Sequence, residues 1–377
     1  MPAVAFYISG HGYGHASRQI EVINAFARRR PDVRIFVRSA VTRWLLDATI
    51  VPPFEIDDRP SDTGVVQIDS LHLDAEASIA QAGAFYRTLD ARAEAEAGLL
   101  QRHGAVLVVA DAPPLGCAAA ARAGIPSFVV SNFTWDWIYQ GYAEYLAAAP
   151  DLVPTIQAAY RQAHGAWRLP MHGGFETFPV VEDIPLIARH AARGRDDVRR
   201  ALGIARDRPA VLASFGAYGV SRMPDGAPDC VPAWTVVVSD RTLQAGTAPD
   251  GVLGIHEDAL YAQGLRYEDL VGAVDAVLTK PGYGIVSECV ANGTAMVYTS
   301  RGRFAEYDVF VEEMPRYLRC AFISHGDLEA GRWRAALERA LAQPAPPPAA
   351  TSGAGVAVAR IIEMLGEMLE NRGDRPL

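Results

Sequence analysis

The feature that most constrains this chain is a short apolar segment that ends in a glycine-rich turn and leads into an amphipathic segment. Residues 276–278 are apolar, as expected for a strand buried on both faces of a parallel sheet. The turn at 279–284 follows, and apolar side chains then recur at helical spacing. Glycine lets the backbone turn sharply and approach a ligand closely. The segment therefore predicts a strand, a turn and a helix whose N-terminus suits a phosphate.

Two charged residues of this segment are candidate ligand contacts. Lys280 is the only lysine in the sequence, and a compact ammonium can follow a phosphate whose charge shifts, whereas guanidinium favours a planar partner. An arginine-rich composition could also leave one lysine by chance. Glu288 lies one helical turn beyond Gly284 and could accept hydrogen bonds from both hydroxyls of a ribose. It could instead be an ordinary first-turn acid that favours the helix dipole.

Composition indicates a globular protein with more than one domain. The chain has 377 residues, half of them hydrophobic and 21% charged, which exceeds one ordinary core. A net charge of −9 and a pI near 5.5 argue against nucleic acid or anionic membranes as general partners. The four scattered cysteines fit a reducing compartment and predict no zinc site. With no leader signal and no long apolar stretch, we expect a cytoplasmic protein without a transmembrane segment.

Strand-like and helix-like segments alternate in two sets, which predicts two Rossmann-like parallel-sheet domains. The first set begins with a strand at 3–8, and the second begins with a strand at 209–213 that ends in a turn at 214–219. The sequence changes character near residues 180–200. We therefore predict domains at 1–185 and 186–355, and a last helix at 356–377 that packs back across them.

Three absent or altered motifs limit the chemistry. The first glycine turn reads G-x-G-x-G, and the second strand ends at Arg38 rather than at an acid. A dehydrogenase is therefore a weak interpretation, although Arg38 could favour a 2′-phosphate. The chain lacks a P-loop sequence. It also lacks the D-x-D pattern with which metal-dependent sugar transferases hold a divalent ion, so we predict metal-independent chemistry.

Polar residues follow two further predicted strands of the first set. Asp111 follows the strand at 105–110, and Asn132 follows the strand at 126–130. Ligands of open parallel sheets bind beyond these strand ends. Asp111 fits a buried hydrogen-bond acceptor better than a catalytic base. The aromatic cluster at 133–145 fits a helix packed on the sheet better than a sugar-stacking wall.

We expect the two domains to face each other across a cleft, where binding pockets commonly form. His11 and His15 belong to one side, and Lys280, Glu288 and Glu306 belong to the other. A histidine can take a proton from a hydroxyl near neutral pH, and a phosphate cradle can stabilise a departing diphosphate. This combination favours transfer of a group from a nucleotide-activated donor to a hydroxyl acceptor. His15 could instead only cap its helix.

Four blocks carry a family resemblance: ISGHGYGHASR at 8–18, VVQID at 65–69, SNFTWDWIY at 131–139 and KPGYG at 280–284. Together they resemble the glycosyltransferase-like N-terminal region of L-arabinokinases and their free-standing bacterial relatives, over roughly residues 3–370. More distantly, the C-terminal half is similar to the GT-B glycosyltransferases that make lipid II and monogalactosyldiacylglycerol. The resemblance implies an α/β, GT-B-like fold with an N-terminal acceptor domain and a C-terminal nucleotide-sugar domain.

The resemblance also implies residue roles. His15 would be the catalytic base and Lys280 would act on the leaving diphosphate, with Gly282 and Gly284 lining that group and Glu288 holding the ribose. The implied donor-binding residues are Ser214, Gly216, Arg266, Tyr267, Lys280, Gly282, Tyr283, Gly284, Glu288 and Glu306. The implied acceptor-side residues are Gly10, His11, Gly12, Gly14, Asp69, Asp111 and Asn132.

The sequence thus predicts an inverting hexosyl- or pentosyltransferase that uses a nucleotide sugar, with UDP as the expected nucleotide, and needs no cofactor. One alternative is a non-catalytic nucleotide-sugar-binding or regulatory domain, and another is a nucleotide-sugar epimerase on the same fold. The chain stops where arabinokinases continue into a kinase domain, so we expect no kinase activity. Glu306 replaces a glutamine common in the lipid-directed enzymes, which leaves the donor sugar open. The acceptor and the oligomeric state are also left open.

Overall fold

The computed structural model describes residues 1–216, 226–239 and 251–373. The chain divides into two compact units. Unit 1 comprises Met1–Val66, Asp74–Ala188 and the residues from Ala350 onward, and unit 2 comprises Gln67–Leu73 and Arg189–Ala349. The main boundary, after Ala188, lies close to the one expected from sequence at 185–186.

Unit 1 is built on a seven-stranded parallel sheet with the order β3-β2-β1-β6-β7-β8-β9. A short pair of strands, β4 and β5, lies outside this sheet, and one residue of each, Gln67 and Leu73, belongs to unit 2. The strands are β1 (Ala3–Ile8), β2 (Arg34–Arg38), β3 (Glu55–Asp57), β4 (Val66–Gln67), β5 (Leu73–Asp74), β6 (Ala105–Asp111), β7 (Ser127–Phe133), β8 (Gly165–Gly173) and β9 (Val181–Asp183).

Helices connect most of the strands of this sheet, because parallel neighbours cannot be joined by a two-residue hairpin. They are α1 (Tyr13–Arg29), α2 (Arg43–Thr49), α3 (Ala75–Tyr86), α4 (Leu89–Arg102), α5 (Pro114–Ala123), α6 (Trp135–Gln140) and α7 (Leu152–Tyr160). The last helix of the chain, which is numbered α15 (Gly353–Gly373) after those of unit 2, also belongs to unit 1, where it packs against α1.

Unit 2 is built on a six-stranded parallel sheet with the order β12-β11-β10-β13-β14-β15. Its strands are β10 (Ala210–Ala213), β11 (Thr235–Ser239), β12 (Val252–Ile255), β13 (Ala276–Thr279), β14 (Ala295–Tyr298) and β15 (Cys320–Phe322). Its helices are α8 (Arg195–Leu202), α9 (Glu257–Ala262), α10 (Tyr267–Ala273), α11 (Tyr283–Asn292), α12 (Ala305–Glu313), α13 (His325–Glu329) and α14 (Arg334–Leu341).

The apolar composition of the strands explains why both sheets form. All residues of β1, β6, β10, β13 and β14 are buried, which is the pattern of parallel strands covered on both faces. The predicted α/β fold with two Rossmann-like domains is confirmed. Of the turn predicted at 214–219, residues 217–219 lie outside the described residues. No described helix combines the length and the apolar character that crossing a membrane would require.

One segment differs from the sequence-based domain assignment. Residues 67–73 were expected to lie in the N-terminal domain, but they belong to unit 2. Leu71 is buried in the hydrophobic core of unit 2 together with Phe215 and Leu278, and the Ser70 hydroxyl donates to the Phe215 carbonyl over 2.5 Å. Contacts with residues far along the chain place this segment, and local sequence pattern does not report such contacts.

Replacing Leu71 tests this packing. Leu71→Ala should destabilise unit 2 by about 2–5 kcal/mol, because it removes a buried side chain and leaves a cavity. Ile68→Ala is the matched control, since Ile68 lies on the same segment but is 70% exposed. Chemical denaturation of both variants measures the difference, and equal effects would show that Leu71 is not buried in this core.

Candidate functional site

The strand ends of unit 1 bring several polar side chains to one place. β1 is followed by a turn and then by α1, whose first turn carries His15. The residue before α1, Gly12, has φ +75°, a left-handed conformation that favours glycine. In the sheet, Ile8 pairs with Asp111, so α1 begins beside the end of β6. The predicted residues His15 and Asp111 are therefore neighbours.

His15 and Asp111 are joined by a short hydrogen bond, and an arginine shares the carboxylate. The Nδ1 atom of His15 lies 2.7 Å from Oδ1 of Asp111. Arg18, one helical turn beyond His15, donates from Nε to Oδ2 of Asp111 over 2.6 Å and from Nη2 to Oδ1 over 2.5 Å. Asp111 is fully buried and Arg18 is nearly so, which makes this a buried, charge-assisted cluster.

The charges around Asp111 determine its protonation state. Burial alone would raise the pKa of the Asp111 carboxyl, but the charges and hydrogen bonds of Arg18 and His15 outweigh it and hold the pKa below its usual value. An ionised carboxylate only accepts hydrogen bonds. Nδ1 of His15 is placed to donate to Asp111, and Nη2 of Arg18 also lies 2.9 Å from that ring nitrogen. In the neutral tautomer with the proton on Nδ1, Nε2 keeps its lone pair.

Arg18 links the predicted residue Asn132 to the same cluster. Its Nη1 atom donates to Oδ1 of Asn132 over 2.6 Å, and its Nη2 atom donates to the hydroxyl of Ser131 over 3.1 Å. The amide of Asn132 in turn donates to the Met171 carbonyl over 3.3 Å. Asn132 thus orients Arg18, and through Arg18 it supports the position of Asp111.

His11 and the remaining glycines lie around this cluster in different surroundings. The ring centroid of His11 is 5.8 Å from that of Trp135, and the His15 ring is 6.4 Å from the same indole. Gly10 is exposed, whereas Gly14 is partly buried within α1. His11 and His15 therefore both lie close to one aromatic side chain.

Sequence reasoning missed two members of the cluster in unit 1. Arg18 belongs to the first sequence block, but no role was predicted for it. Its spacing of three residues from His15 places it on the same helix face. Asp62 is 5% exposed, and its Oδ2 accepts from Nε1 of Trp135 over 2.8 Å. Burial raises the pKa of Asp62, and the Ser9 hydroxyl and the charge of His15 oppose that rise. No local pattern marks Asp62.

In unit 2 the turn after β13 carries Lys280 and leads into α11. Gly282 immediately precedes this helix in extended backbone, and a Cβ built on it would meet no heavy atom within 4 Å. Its φ of −156° is open to any residue, so the backbone does not require glycine here. The open space beside Gly282 lies where the side chain of any larger residue at this position would be. Tyr283 and Gly284 are buried in the first turn of α11.

Lys280 is surrounded by charged groups from three parts of unit 2. Burial and the positive charge of Arg301 lower the pKa of Lys280 well below its usual value, and the carboxylates of Glu306 and Asp69 oppose that decrease. Arg301 donates from Nη1 to Oε2 of Glu306 over 2.8 Å. Its Nε–H is buried without a hydrogen-bond acceptor among the described residues. Asp69, which was expected on the acceptor side, thus lies in unit 2 with the predicted donor residues.

The other predicted donor residues form two further groups in unit 2. The hydroxyl of Tyr267 donates to Oγ of Ser214 over 2.9 Å, and burial raises the Tyr267 pKa. Arg266 precedes α10, where its backbone N–H donates to Oδ2 of Asp269 over 2.8 Å. Gly216, exposed and at φ +73°, is the last described residue of its turn.

Glu288 is buried in an ion pair that the sequence did not reveal. Its Oε1 atom accepts from Nε of Arg189 over 2.8 Å, and Arg189 Nη1 also lies 3.2 Å from Oε2 of Glu268. Glu288 is 2% exposed. Arg189 precedes Glu288 by 99 residues, so no helical or strand period connects the two in the sequence.

The described residues hold no group of three or more His, Cys, Asp or Glu side chains arranged to bind a metal ion. The four cysteines are buried free thiols, and burial raises the pKa of Cys117 to about 12. A thiol with such a pKa is a poor nucleophile. Cys117 is therefore not a candidate nucleophile.

Comparison with known sequences identifies a homologous region in a larger protein. No protein-family model matches the chain. An L-arabinokinase of Arabidopsis thaliana is 33% identical over 350 residues, which cover 89% of this chain and 32% of that protein. The chain is homologous to this part of the L-arabinokinase and spans about a third of its length.

Comparison with solved structures identifies the fold. The glycosyltransferase SnogD from Streptomyces nogalater aligns with a TM-score of 0.60 at 16% identity, over 97% of this chain and 100% of that chain. Arabidopsis thaliana UGT89C1 in complex with UDP-L-rhamnose aligns with a TM-score of 0.57 at 15% identity, over 98% of each chain. The chain has the GT-B fold of these proteins, which confirms that prediction. The similarity to enzymes that make lipid II and monogalactosyldiacylglycerol stays a prediction.

Replacing Asp111 tests the cluster in unit 1. Asp111→Asn should cost about 3–5 kcal/mol of stability, because it leaves the buried guanidinium of Arg18 without its counter-charge. Asp183→Asn is the matched control, since its pair with Arg168 is largely exposed and such pairs contribute about 0–1 kcal/mol. Urea unfolding compares the two variants. Similar losses would mean that Asp111 is not in a buried ion pair.

Proposed function

We propose that this chain is an inverting glycosyltransferase that moves a sugar from a nucleotide donor, with UDP as the expected nucleotide, to a hydroxyl acceptor. The observation that carries the proposal is the His15–Asp111 hydrogen bond at the strand ends of unit 1 in a GT-B fold. The homology to part of an L-arabinokinase and the fold shared with a protein that was solved with UDP-L-rhamnose support it.

His15 is proposed as the general base. Nε2 takes the proton of the acceptor hydroxyl while the acceptor oxygen attacks the anomeric carbon from the face opposite the nucleotide. The bond from that carbon to the diphosphate oxygen breaks, and the electron pair leaves with the diphosphate, which inverts the anomeric centre. Asp111 is buried and both its oxygens are engaged. It therefore orients His15 and stabilises the imidazolium that forms, rather than acting as the base.

Lys280 and the N-terminus of α11 are proposed to stabilise the leaving diphosphate. The ammonium supplies a positive charge, and the first N–H groups of α11 supply donors that helical bonds leave unused. The open space beside Gly282 gives a phosphate room to approach the backbone. The buried Nε–H of Arg301 is a further donor without an acceptor among the described residues. These groups can balance the diphosphate charge without a divalent ion.

The two buried glutamates are proposed as donor contacts. Glu306 would accept hydroxyls of the donor sugar, and Glu288 would accept those of the ribose. An ionised carboxylate has about four acceptor positions, so pairing with Arg301 or Arg189 leaves capacity for a hydroxyl. In this proposal unit 1 serves the acceptor and unit 2 holds the nucleotide sugar.

A binding and turnover experiment separates a transferase from the two alternatives. A ligand at a hundred times its Kd stabilises by about 2.7 kcal/mol, so a thermal-shift series over nucleotide sugars should identify the donor. With that donor and a mixture of hydroxyl acceptors, we expect release of the nucleoside diphosphate. His15→Ala should keep the thermal shift and lose the release. Binding with no release would support a non-catalytic binder, and a new sugar formed without acceptor would support an epimerase.

Removing the lysine tests its role in the reaction. Lys280→Ala should cost roughly 2–4 kcal/mol in the transition state, a fall of about 30-fold to 1,000-fold in turnover, which is typical of losing one preorganised electrostatic contact. Arg332→Ala is the matched control, because it removes one positive charge from an exposed position of unit 2. Steady-state assays of diphosphate release measure both. Unchanged turnover in Lys280→Ala would rule out the phosphate role.

A further inference from the structure

Unit 1 contains a polar cavity of about 520 Å³. Neither His15 nor Asp111 is among the described residues that line it. Sites for small molecules usually measure about 300–1,000 Å³ and are lined mostly by apolar side chains. This cavity has the size of such a site, but its lining is polar, which indicates a polar ligand. The polar side chains that line it are those of Asp136, Gln140, Gln157, Arg161, Glu176 and Thr177.

Two helices each present a pair of polar side chains to the cavity. Asp136 and Gln140 are four residues apart on α6, and Gln157 and Arg161 are four residues apart at the C-terminal end of α7. Side chains at this spacing lie on the same face of a helix. α6 packs against α7, and Nε2 of Gln157 donates to Oδ2 of Asp136 over 3.3 Å. The two pairs therefore form adjoining walls of the cavity.

The segment that follows β8 forms a third wall. Gly174 has φ +85°, and a Cβ built on it would overlap the Thr134 hydroxyl and crowd Trp137 of α6. Glycine at this position therefore lets the segment pass close to α6. The segment then carries Glu176 and Thr177 to the cavity. The cavity is thus built from three parts of the fold rather than from one exposed loop.

Asp136 is the most deeply buried polar residue of this lining, with 3% of its surface exposed. Its Oδ2 atom accepts from Oγ1 of Thr177 over 3.2 Å and from Nε2 of Gln157 over 3.3 Å. Charge-assisted hydrogen bonds to a carboxylate are usually shorter, at about 2.5–2.9 Å. The Oδ1 atom accepts no hydrogen bond from the described residues. A buried carboxylate in this state is short of donors, which a bound ligand can supply.

The groups around the cavity favour one class of ligand. An ammonium ligand has only donors and would leave the guanidinium of Arg161 without an acceptor. A phosphate or another anion has only acceptors and would be repelled by the carboxylates of Asp136 and Glu176. Hydroxyl groups both donate and accept. A molecule with several hydroxyls can therefore donate to the carboxylates and accept from the guanidinium and the two glutamine amides.

We propose that this cavity is a second binding site of the chain, for a neutral polyhydroxylated molecule of the size of a mono- or disaccharide. Asp136 is its anchoring hydrogen-bond acceptor. The proposal goes beyond the transferase activity proposed above and does not rest on it, because the described lining of the cavity shares no residue with the cluster around His15.

Titration with named sugars tests the site. Ligand-detected NMR with D-glucose, D-galactose, sucrose and myo-inositol should show at least one of them binding to the unchanged protein with a millimolar or lower Kd. Asp136→Asn keeps the size of the side chain and can still accept from Thr177, but it loses the charge. It should weaken binding about tenfold or more, since hydrogen bonds to charged groups are the stronger ones.

Three further variants separate this site from other effects. Asp151→Asn is the matched control, because Asp151 is an exposed acid at the start of α7, outside the described lining of the cavity, and its Kd should match that of the unchanged protein. Gln140→Trp fills part of the cavity and should abolish binding. Its urea unfolding should change little, because Gln140 is exposed. His15→Ala should keep the binding.

The possible results decide between the site and its alternatives. Failure of all four probes to bind, or binding that is unchanged in both Asp136→Asn and Gln140→Trp, would overturn the proposal. Binding that is lost in His15→Ala but kept in those two variants would assign the sugar to the proposed acceptor site and would also contradict it. Tighter binding of D-glucosamine or L-serine than of D-glucose would rule out the neutral polyhydroxylated class. Absence of nucleotide-sugar turnover would refute the proposed function and leave the sugar titrations valid.

Discussion

Burying charge at the carboxyl edge of a parallel sheet is the constraint on which both units depend. Parallel strands all end at one edge, so the residues just beyond them are the first polar groups next to a fully apolar layer. A charge placed there without a partner would cost several kcal/mol. In unit 1 this explains why Asp111, at the end of β6, is held by Arg18 and His15. In unit 2 it explains why Lys280, after β13, lies among other charged side chains.

The cation at the strand ends of unit 1 is an arginine and that of unit 2 is a lysine, because the groups that they face differ. Arg18 presents a planar fork to Asp111 and cannot lose its proton, so the carboxylate next to His15 stays ionised. That permanence suits the orienting role proposed for Asp111. Lys280 is a point charge on a flexible stem, and its protonation responds to burial and to its neighbours. Such a group can adjust to a ligand whose charge changes during a reaction.

Local pattern was enough for the framework and for part of the site. Apolar strands, the turns after them and the polar residues at strand ends are all adjacent in sequence, so β13 with Lys280 and β6 with Asp111 could be predicted. What could not be predicted depends on distant pairs. Arg18 acquires its role from Asp111, 93 residues away, and Glu288 pairs with Arg189 across 99 residues. Neither pair leaves a periodic signal, because side chains meet there through the fold alone.

The segment 67–73 shows why a chain can be divided differently in space than in sequence. The strand-end turns of unit 2 place Lys280, Arg301 and Glu306 near one another, two cations and one carboxylate. Burial and the positive charge of Arg301 lower the pKa of Lys280. Asp69 adds a second carboxylate whose charge acts on Lys280. Burial of Leu71, two residues further on, in the core of unit 2 stabilises the position of the segment that carries Asp69. Hydrophobic anchoring therefore places in unit 2 a segment that sequence order assigns to the other half of the chain.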